Sequence, residues 1–273
     1  MFVKLSLNEI SPFLLCALRF LLASVPAIFF IKPPTGAYKT VILYGLIMFG
    51  LQFVLLFMGM SFGMPAGMAS IIMQTQVFFS MLCAALFLGE TPEIWQIIGA
   101  MVSFMGIAVI AEHIDSHVTA LGVVCILSAA AVWGFGNLIT KKSSNINMMS
   151  LVIWGSFVAS IPMVGLVLLT DGPTQIMFSI HHMTSIGIIS LLYTTYISTL
   201  VGYGLWNWLL FRYPVGTVAP FTLLIPIVAI MSSILFLGET LTTWKIVAGL
   251  LVMSGLFINI FGNRLVFLTA TAK

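Results

Sequence analysis

The residue best placed to do chemistry in this sequence is an arginine inside an apolar stretch. Arg19 lies within Pro12 to Ile31, about 10 Å in from Pro12 at 1.5 Å per residue, and no other formal charge stands so deep in such a stretch. A guanidinium held there can take a carboxylate in a two-pronged hydrogen bond; it can equally be structural, satisfied by carbonyls or reaching outward along its own stem. Gln52, Gln74 and Gln76 are amides in similar surroundings, where each must find a partner, in a cavity or on a neighbouring helix. Gln74 and Gln76, two positions apart, point to nearly opposite helix faces, and Gln74 shares its face with Ser70 and Gly67. Trp133 and Asn137 share a face at i, i+4, beside Gly134 and Gly136, which permit close approach of another backbone. An aromatic wall with an amide would suit a small zwitterion with an apolar body. Pro220 and Pro226 would free the carbonyls of Gly216 and Thr222. Broken helices of this kind line binding sites in transporters; a plain kink is the alternative.

The elements that must position these residues follow from composition. Charged residues make up 6% of the chain and hydrophobic ones 61%, with a mean hydropathy of +1.19. A soluble domain carries roughly 25% charge, so no water-facing surface can be built here. The apolar residues fall in blocks near the roughly 20 residues a span requires. Nine blocks are expected, near Pro12 to Ile31, Thr40 to Met60, Pro65 to Leu88, Ile94 to Ala111, Ala120 to Thr140, Met148 to Thr170, Met183 to Phe211, Pro214 to Leu237 and Trp244 to Leu265. The sequence predicts an all-α, polytopic membrane protein. Cys16, Cys83 and Cys125 lie in these blocks without metal-ligand or redox spacing.

One unit is written twice. Pro65, Gly67, Phe87, Leu88, Gly89, Glu90, Thr91, Trp95 and Gly106 recur 149 positions later as Pro214, Gly216, Phe236, Leu237, Gly238, Glu239, Thr240, Trp244 and Gly255. Glu90 and Glu239 stand at the corners between helices, where a carboxylate can cap the following N-terminus. Allotting loops alternately to two sides gives one side Lys32, Lys39, Lys141, Lys142, Arg212, Arg264 and Lys273, and the other Lys4 and Lys245. The basic side is expected to be cytoplasmic, and with it the C-terminus. The copies are then five helices apart, an odd number, so they are inverted, a recurrent plan of secondary transporters. Residues 1–117 and 118–273 would be the two halves. Ala23, Ser24 and Pro26 match Ala159, Ser160 and Pro162, which pairs the first block with the sixth and leaves Ala120 to Thr140 without a counterpart. The first half is expected to lack its first helix, about 20 to 25 residues that would precede Met1. Arg19 has Gly155 as its counterpart in this register, so symmetry alone does not require a charge there.

Several stretches resemble the EamA-type family of the drug/metabolite transporter superfamily: Leu18-Arg19-Phe20, Phe62 to Ser70, Gln74 to Phe79, Trp133 to Lys142, Met149 to Trp154, Val201 to Trp206, Arg212-Tyr213, Ala219 to Pro226 and the two Gly-Glu corners. The resemblance implies ten spans in two inverted five-helix halves, and is nearest to members that export O-acetylserine and cysteine. It also adds Tyr203 and Trp206, in the Gly-Tyr-Gly-Leu-Trp stretch, as candidates for substrate contact. The implied partners are the bilayer and a small amino-acid-like solute.

Other functions find no support in these residues. ATP-driven transport would need a phosphate-binding Gly-rich loop, and an intramembrane protease paired aspartates or a His-Glu-x-x-His helix. A saturation-free channel, another exported metabolite and a non-transporting product stand as alternatives. Nothing calls for nucleic acid, a cofactor or a metal. All seven acidic residues and all four histidines fall in loops or at corners, so the usual intramembrane proton relay is absent.

Overall fold

The computed structural model describes residues 2–89, 91–113, 118–142, 146–212, 224–238 and 242–270. Glu90, Pro220 and Glu239 lie outside them. Every described element is a helix: α1 Phe2–Leu7, α2 Pro12–Ile28, α3 Tyr38–Tyr44, a π-helical segment π1 Gly45–Leu51, α4 Gln52–Ser61, α5 Ala66–Met73, α6 Gln76–Leu88, α7 Ile94–Glu112, α8 Ala120–Lys142, α9 Met148–Thr170, α10 Gly172–His181, α11 Ser185–Leu192, a second π segment π2 Tyr193–Gly202, α12 Tyr203–Arg212, α13 Leu224–Leu237 and α14 Thr243–Ala270. Among the described residues, six helical stretches are long and apolar enough to cross a membrane: Tyr38–Ser61, Ala66–Phe87, Ala120–Thr140, Met148–Thr170, Ser185–Trp206 and Thr243–Gly262. Pro12–Ile28, Ile94–Ile110 and Ile227–Phe236 are shorter apolar helices.

Two long antiparallel pairs frame the bundle, both built on small residues. Between α7 and α14, Gly99 lies against Gly255 and Asn259, Gly106 against Ala248 and Val252, and Ser103 Oγ donates to the Val252 carbonyl at 3.0 Å. Lipid tails are as apolar as leucine, so helices associate in a bilayer through close packing and interhelical hydrogen bonds, and glycine lets backbones touch. Between α2 and α9, Ser11 Oγ donates to Asp171 at one end, while at the other Trp154 Nε1 donates to the Ile31 carbonyl and Ser150 Oγ to that of Lys32. That register sets the buried Ala23 and Ser24 opposite the buried Ala159 and Ser160. Gly155 in turn meets Gly45, bringing the start of π1 onto α9.

Three local expectations are corrected. The block from Pro65 to Leu88 is not one helix: it breaks at Gln74 and Thr75, whose amides bond to Ile71 and Ile72, three residues back. No proline causes this. Thr75 Oγ1 donates to the Ile72 carbonyl at 2.7 Å, a local side-chain bond that competes with the helical ladder. The segment after Asp171, expected to be a loop, forms α10. The second and seventh blocks each change to π-helix midway, at π1 and π2. In π2 the back-bond of Thr199 Oγ1 to the Thr194 carbonyl, five residues earlier, fits the wider turn.

Helix ends are closed by side chains. Ser11, Asn147 and Thr184 accept from the amides of Leu14, Ser150 and Gly187, the usual N-cap arrangement. Glu9 accepts from both the amide and the hydroxyl of Thr184, at 2.9 and 2.6 Å, tying the start of α2 to the start of α11.

Gly255→Val would force the α7–α14 pair apart, since a Cβ at that position meets the Gly99 carbonyl and the Ser103 side chain. Overpacking of this kind costs about 1–3 kcal/mol. The expected outcome is a lower melting midpoint in detergent, whereas Gly165→Ala, with nothing within 4 Å of the new carbon, leaves the midpoint in place.

Candidate functional site

Arg19 is the centre of the best-defined polar site. It is 2% exposed on α2, pre-positioned by a helix whose start is fixed through the Ser11 cap and Pro12. Its Nε donates to Thr199 Oγ1 at 2.8 Å and its Nη2 to Ser198 Oγ at 3.5 Å, both on π2. The guanidinium carbon stands 4.3 Å from the Phe53 ring centre and 5.6 Å from that of Phe20. No carboxylate pairs with it among the described residues, and Nη1 has no hydrogen-bond partner among them. An arginine at the centre of a helix that crosses a bilayer costs about 2.5–3.5 kcal/mol on the insertion scale. A charged hydrogen bond returns about 1.5–3 kcal/mol and a ring contact about 0.5–2, so the charge is tolerable here with donors to spare.

Aromatic rings continue from the guanidinium in an unbroken chain. Phe20 lies 5.2 Å from both Phe49 and Phe53, Phe49 is 5.1 Å from Tyr44 and 5.4 Å from Tyr203, and Tyr203 stacks on Trp133 at 6.1 Å. Tyr203 and Trp133 are only partly buried, so they form the open end of the row. Seven elements meet here: α2, α3, π1, α4, α8, π2 and α12. The backbone between Phe49 and Phe53 passes from π1 into α4 and that at Tyr203 from π2 into α12, so each π segment hands over to α-helix at the site. Such wide turns are frequent at functional sites.

The sequence-derived candidates divide. Arg19, Trp133 and Tyr203 are brought together in this row. Gln52, at the start of α4, is fully buried, and neither amide atom has a hydrogen-bond partner among the described residues. Asn137 Nδ2 donates to Ser80 Oγ at 3.0 Å, Ser80 donates to the Gln76 carbonyl, and Gln76 Oε1 is buried without a partner among the described residues. Gln76 and Asn137 thus share a polar cluster between α6 and α8, one turn from Trp133. Gly134 serves the close approach expected of it, meeting the Phe79–Ser80 backbone, while Gly136 meets the side chain of Met48. Gln74 is buried at the break of the third block. Trp206 is half-buried on α12 and joins no ring contact among the described residues. Pro226 falls in the first described turn of α13.

Sequence reasoning missed Phe20, Phe49, Phe53, Ser198 and Thr199. Two signals were present: Phe49 and Phe53 repeat at i, i+4 around Gln52, and Thr194, Thr195, Ser198 and Thr199 crowd hydroxyls into an apolar block. Thr195 is fully buried and its Oγ1 has no partner among the described residues.

Removing Thr199's hydroxyl strands the Arg19 Nε, at an expected cost of about 1–3 kcal/mol. Thr199→Val should lower the melting midpoint in detergent. The Arg19→Met/Thr199→Val pair should recover most of that loss, because no charge is then left without its acceptor.

With this geometry in place, comparison with known proteins is informative. The sequence model of the EamA-like transporter family matches residues 1–111 and 120–261. A protein of Escherichia coli (strain K12) named "Probable amino-acid metabolite efflux pump" is 38% identical over 268 residues, covering 96% of this chain and 90% of its own. One of the same name from Salmonella typhimurium is 39% identical over 269 residues, with the same coverage. A "Probable terminal-alkyne amino-acid exporter" of Streptantibioticus cattleyicolor is 26% identical over 201 residues, covering 71% of this chain and 64% of its own. A solved crystal structure, 15% identical, superposes with a TM-score of 0.66 over 96% of this chain and 92% of that one, a likeness of fold alone.

Proposed function

The chain belongs to the EamA-like transporter family, and from that premise we propose that it exports small amino-acid-like metabolites, O-acetylserine and cysteine among them, by alternating access. The observation that carries this is Arg19: a buried cation with no carboxylate partner among the described residues, at the head of a row of aromatic rings. In the proposed mechanism the substrate carboxylate meets the unused guanidinium N–H groups. Its apolar body lies along the rings toward Trp133 and Tyr203, and the hydroxyls of π2 hold the guanidinium in place while it is unoccupied.

The transport cycle in this reading exchanges two halves, residues 1–117 and 118–273, that enter the membrane in opposite senses. Supporting it, the Gly99–Gly255 contact becomes the Ala248–Gly106 contact when each residue is moved to its counterpart 149 positions away, and Ser103 bonds to its own counterpart, Val252. Likewise α2 packs on π2 and α9 on π1. All nine apolar blocks act as spans, the chain resides in the cell's inner membrane, and the C-terminus is cytoplasmic. A membrane-impermeant maleimide should then label single cysteines placed at Thr35 and Thr184 from opposite sides.

Counterflow in proteoliposomes tests the activity. Preloaded O-acetylserine should drive uptake of labelled amino acids. Arg19→Gln should abolish it, and Arg19→Lys should weaken it at least about tenfold, because an ammonium cannot reproduce the planar fork. Absence of exchange with every amino acid in the wild type would sink the proposal. With no acidic residue inside a span, dissipating a proton gradient should change the exchange rate less than about twofold.

A further inference from the structure

Gln52 is an expensive residue with no visible structural return. It is fully buried, and both its Oε1 and its Nε2 are without a hydrogen-bond partner among the described residues. An unpartnered buried amide bears its whole desolvation penalty, which an aliphatic side chain of similar size would avoid. What it faces is set by register. Met48, one turn earlier, lies against Gly136, and Gly59, two turns later, lies against Gly122 and Ile126. Gln52 therefore faces the intervening stretch of α8, where Ala129 and Ala130 are buried and Trp133 stacks on Tyr203. The next residue, Phe53, carries the Arg19 guanidinium on its ring. Arg19, on α2, thus lies against the residue next to Gln52, and Trp133 belongs to the stretch of α8 that Gln52 faces.

We infer that Gln52 reads the side chain of the solute whose carboxylate Arg19 holds, and that the favoured class is α-amino acids with a short neutral side chain bearing a carbonyl, as an ester or an amide. The inference rests on the carboxylate role proposed for Arg19. An amide offers one acceptor and two donors, so a neutral carbonyl on the solute gives Nε2 an acceptor, and a side-chain amide satisfies both ends. A thiol is a weak donor and a weak acceptor and repays little. A charged side chain finds no opposite charge beside Gln52 among the described residues other than Arg19, which the carboxylate already occupies. A site whose polar group is left unmade by the wrong ligand discriminates more strongly than one that differs only by a methylene.

The test uses the full chain in proteoliposomes with three probes: O-acetylserine, glutamine and norleucine, the last matching the length of O-acetylserine without its carbonyl. The wild type is expected to exchange O-acetylserine and glutamine at least about tenfold faster than norleucine. Gln52→Leu should reduce that preference at least about fivefold, and its melting midpoint in detergent should equal or exceed that of the wild type. A lower midpoint for Gln52→Leu would make the amide structural and overturn the inference. So would an unchanged preference in that variant, or equal exchange of the three probes by the wild type. Absence of exchange with any probe in the wild type would remove the carboxylate role of Arg19 itself, and this inference with it.

Discussion

The structure turns on a charge that has no counter-charge among the described residues. Lipid offers no hydrogen bonds, so every polar group in a span must be satisfied by the protein itself. Arg19 meets that demand with two hydroxyls and two aromatic faces in place of a carboxylate. A fixed carboxylate would neutralise the guanidinium permanently, whereas hydroxyl oxygens and ring quadrupoles hold it in position and leave it able to accept an anion. The neighbouring features follow from this. Thr199 can reach Nε because π2 is wound more widely than an α-helix, and Phe53 can lie under the guanidinium because π1 ends just before α4.

The frame around this centre is built from the opposite kind of residue. Along α7 and α14 glycines and Ser103 bring two backbones into contact, and along α2 and α9 alanines and serines do the same. Such surfaces have no side chains to rearrange, so they make rigid pairs. The irregular segments, π1, π2 and the break at Gln74 and Thr75, hold or directly precede four of the six unpartnered buried side-chain atoms among the described residues, those of Gln52, Gln76 and Thr195. The candidate site thus joins one member of a rigid pair, α2 with Arg19, to irregular backbone at π1 and π2.

The break in the third block illustrates how such irregularity arises without proline or glycine. The run Gln74-Thr75-Gln76 offers three polar side chains in succession, and the Thr75 hydroxyl takes a backbone carbonyl that a continuing helix would use. Hydropathy alone reads the block as one span, because the break turns the amides of Gln74, Thr75, Val77 and Phe78 to carbonyls three residues back and leaves the apolar content unchanged. Pro220 and Pro226 were the more visible signal, and they pointed to the eighth block.

Composition and block length alone determined that this is an all-helical membrane protein, since a chain with 6% charge and such long apolar runs has no other way to satisfy its backbone. The motifs determined the family, and Arg19 could be singled out because a lone charge in apolar surroundings is conspicuous at any fold. Tertiary structure decided the rest of the site. Phe49, Phe53 and Thr199 are ordinary residues of apolar helices until packing brings them to Arg19 across separations as large as 180 residues. The π turns that aim them depend on which hydroxyl bonds to which carbonyl, a choice that periodicity does not record. Gln52 shows the division most plainly: its type was legible from the start, but that both ends of its amide go unpaired among the described residues is a property of the packed neighbours alone.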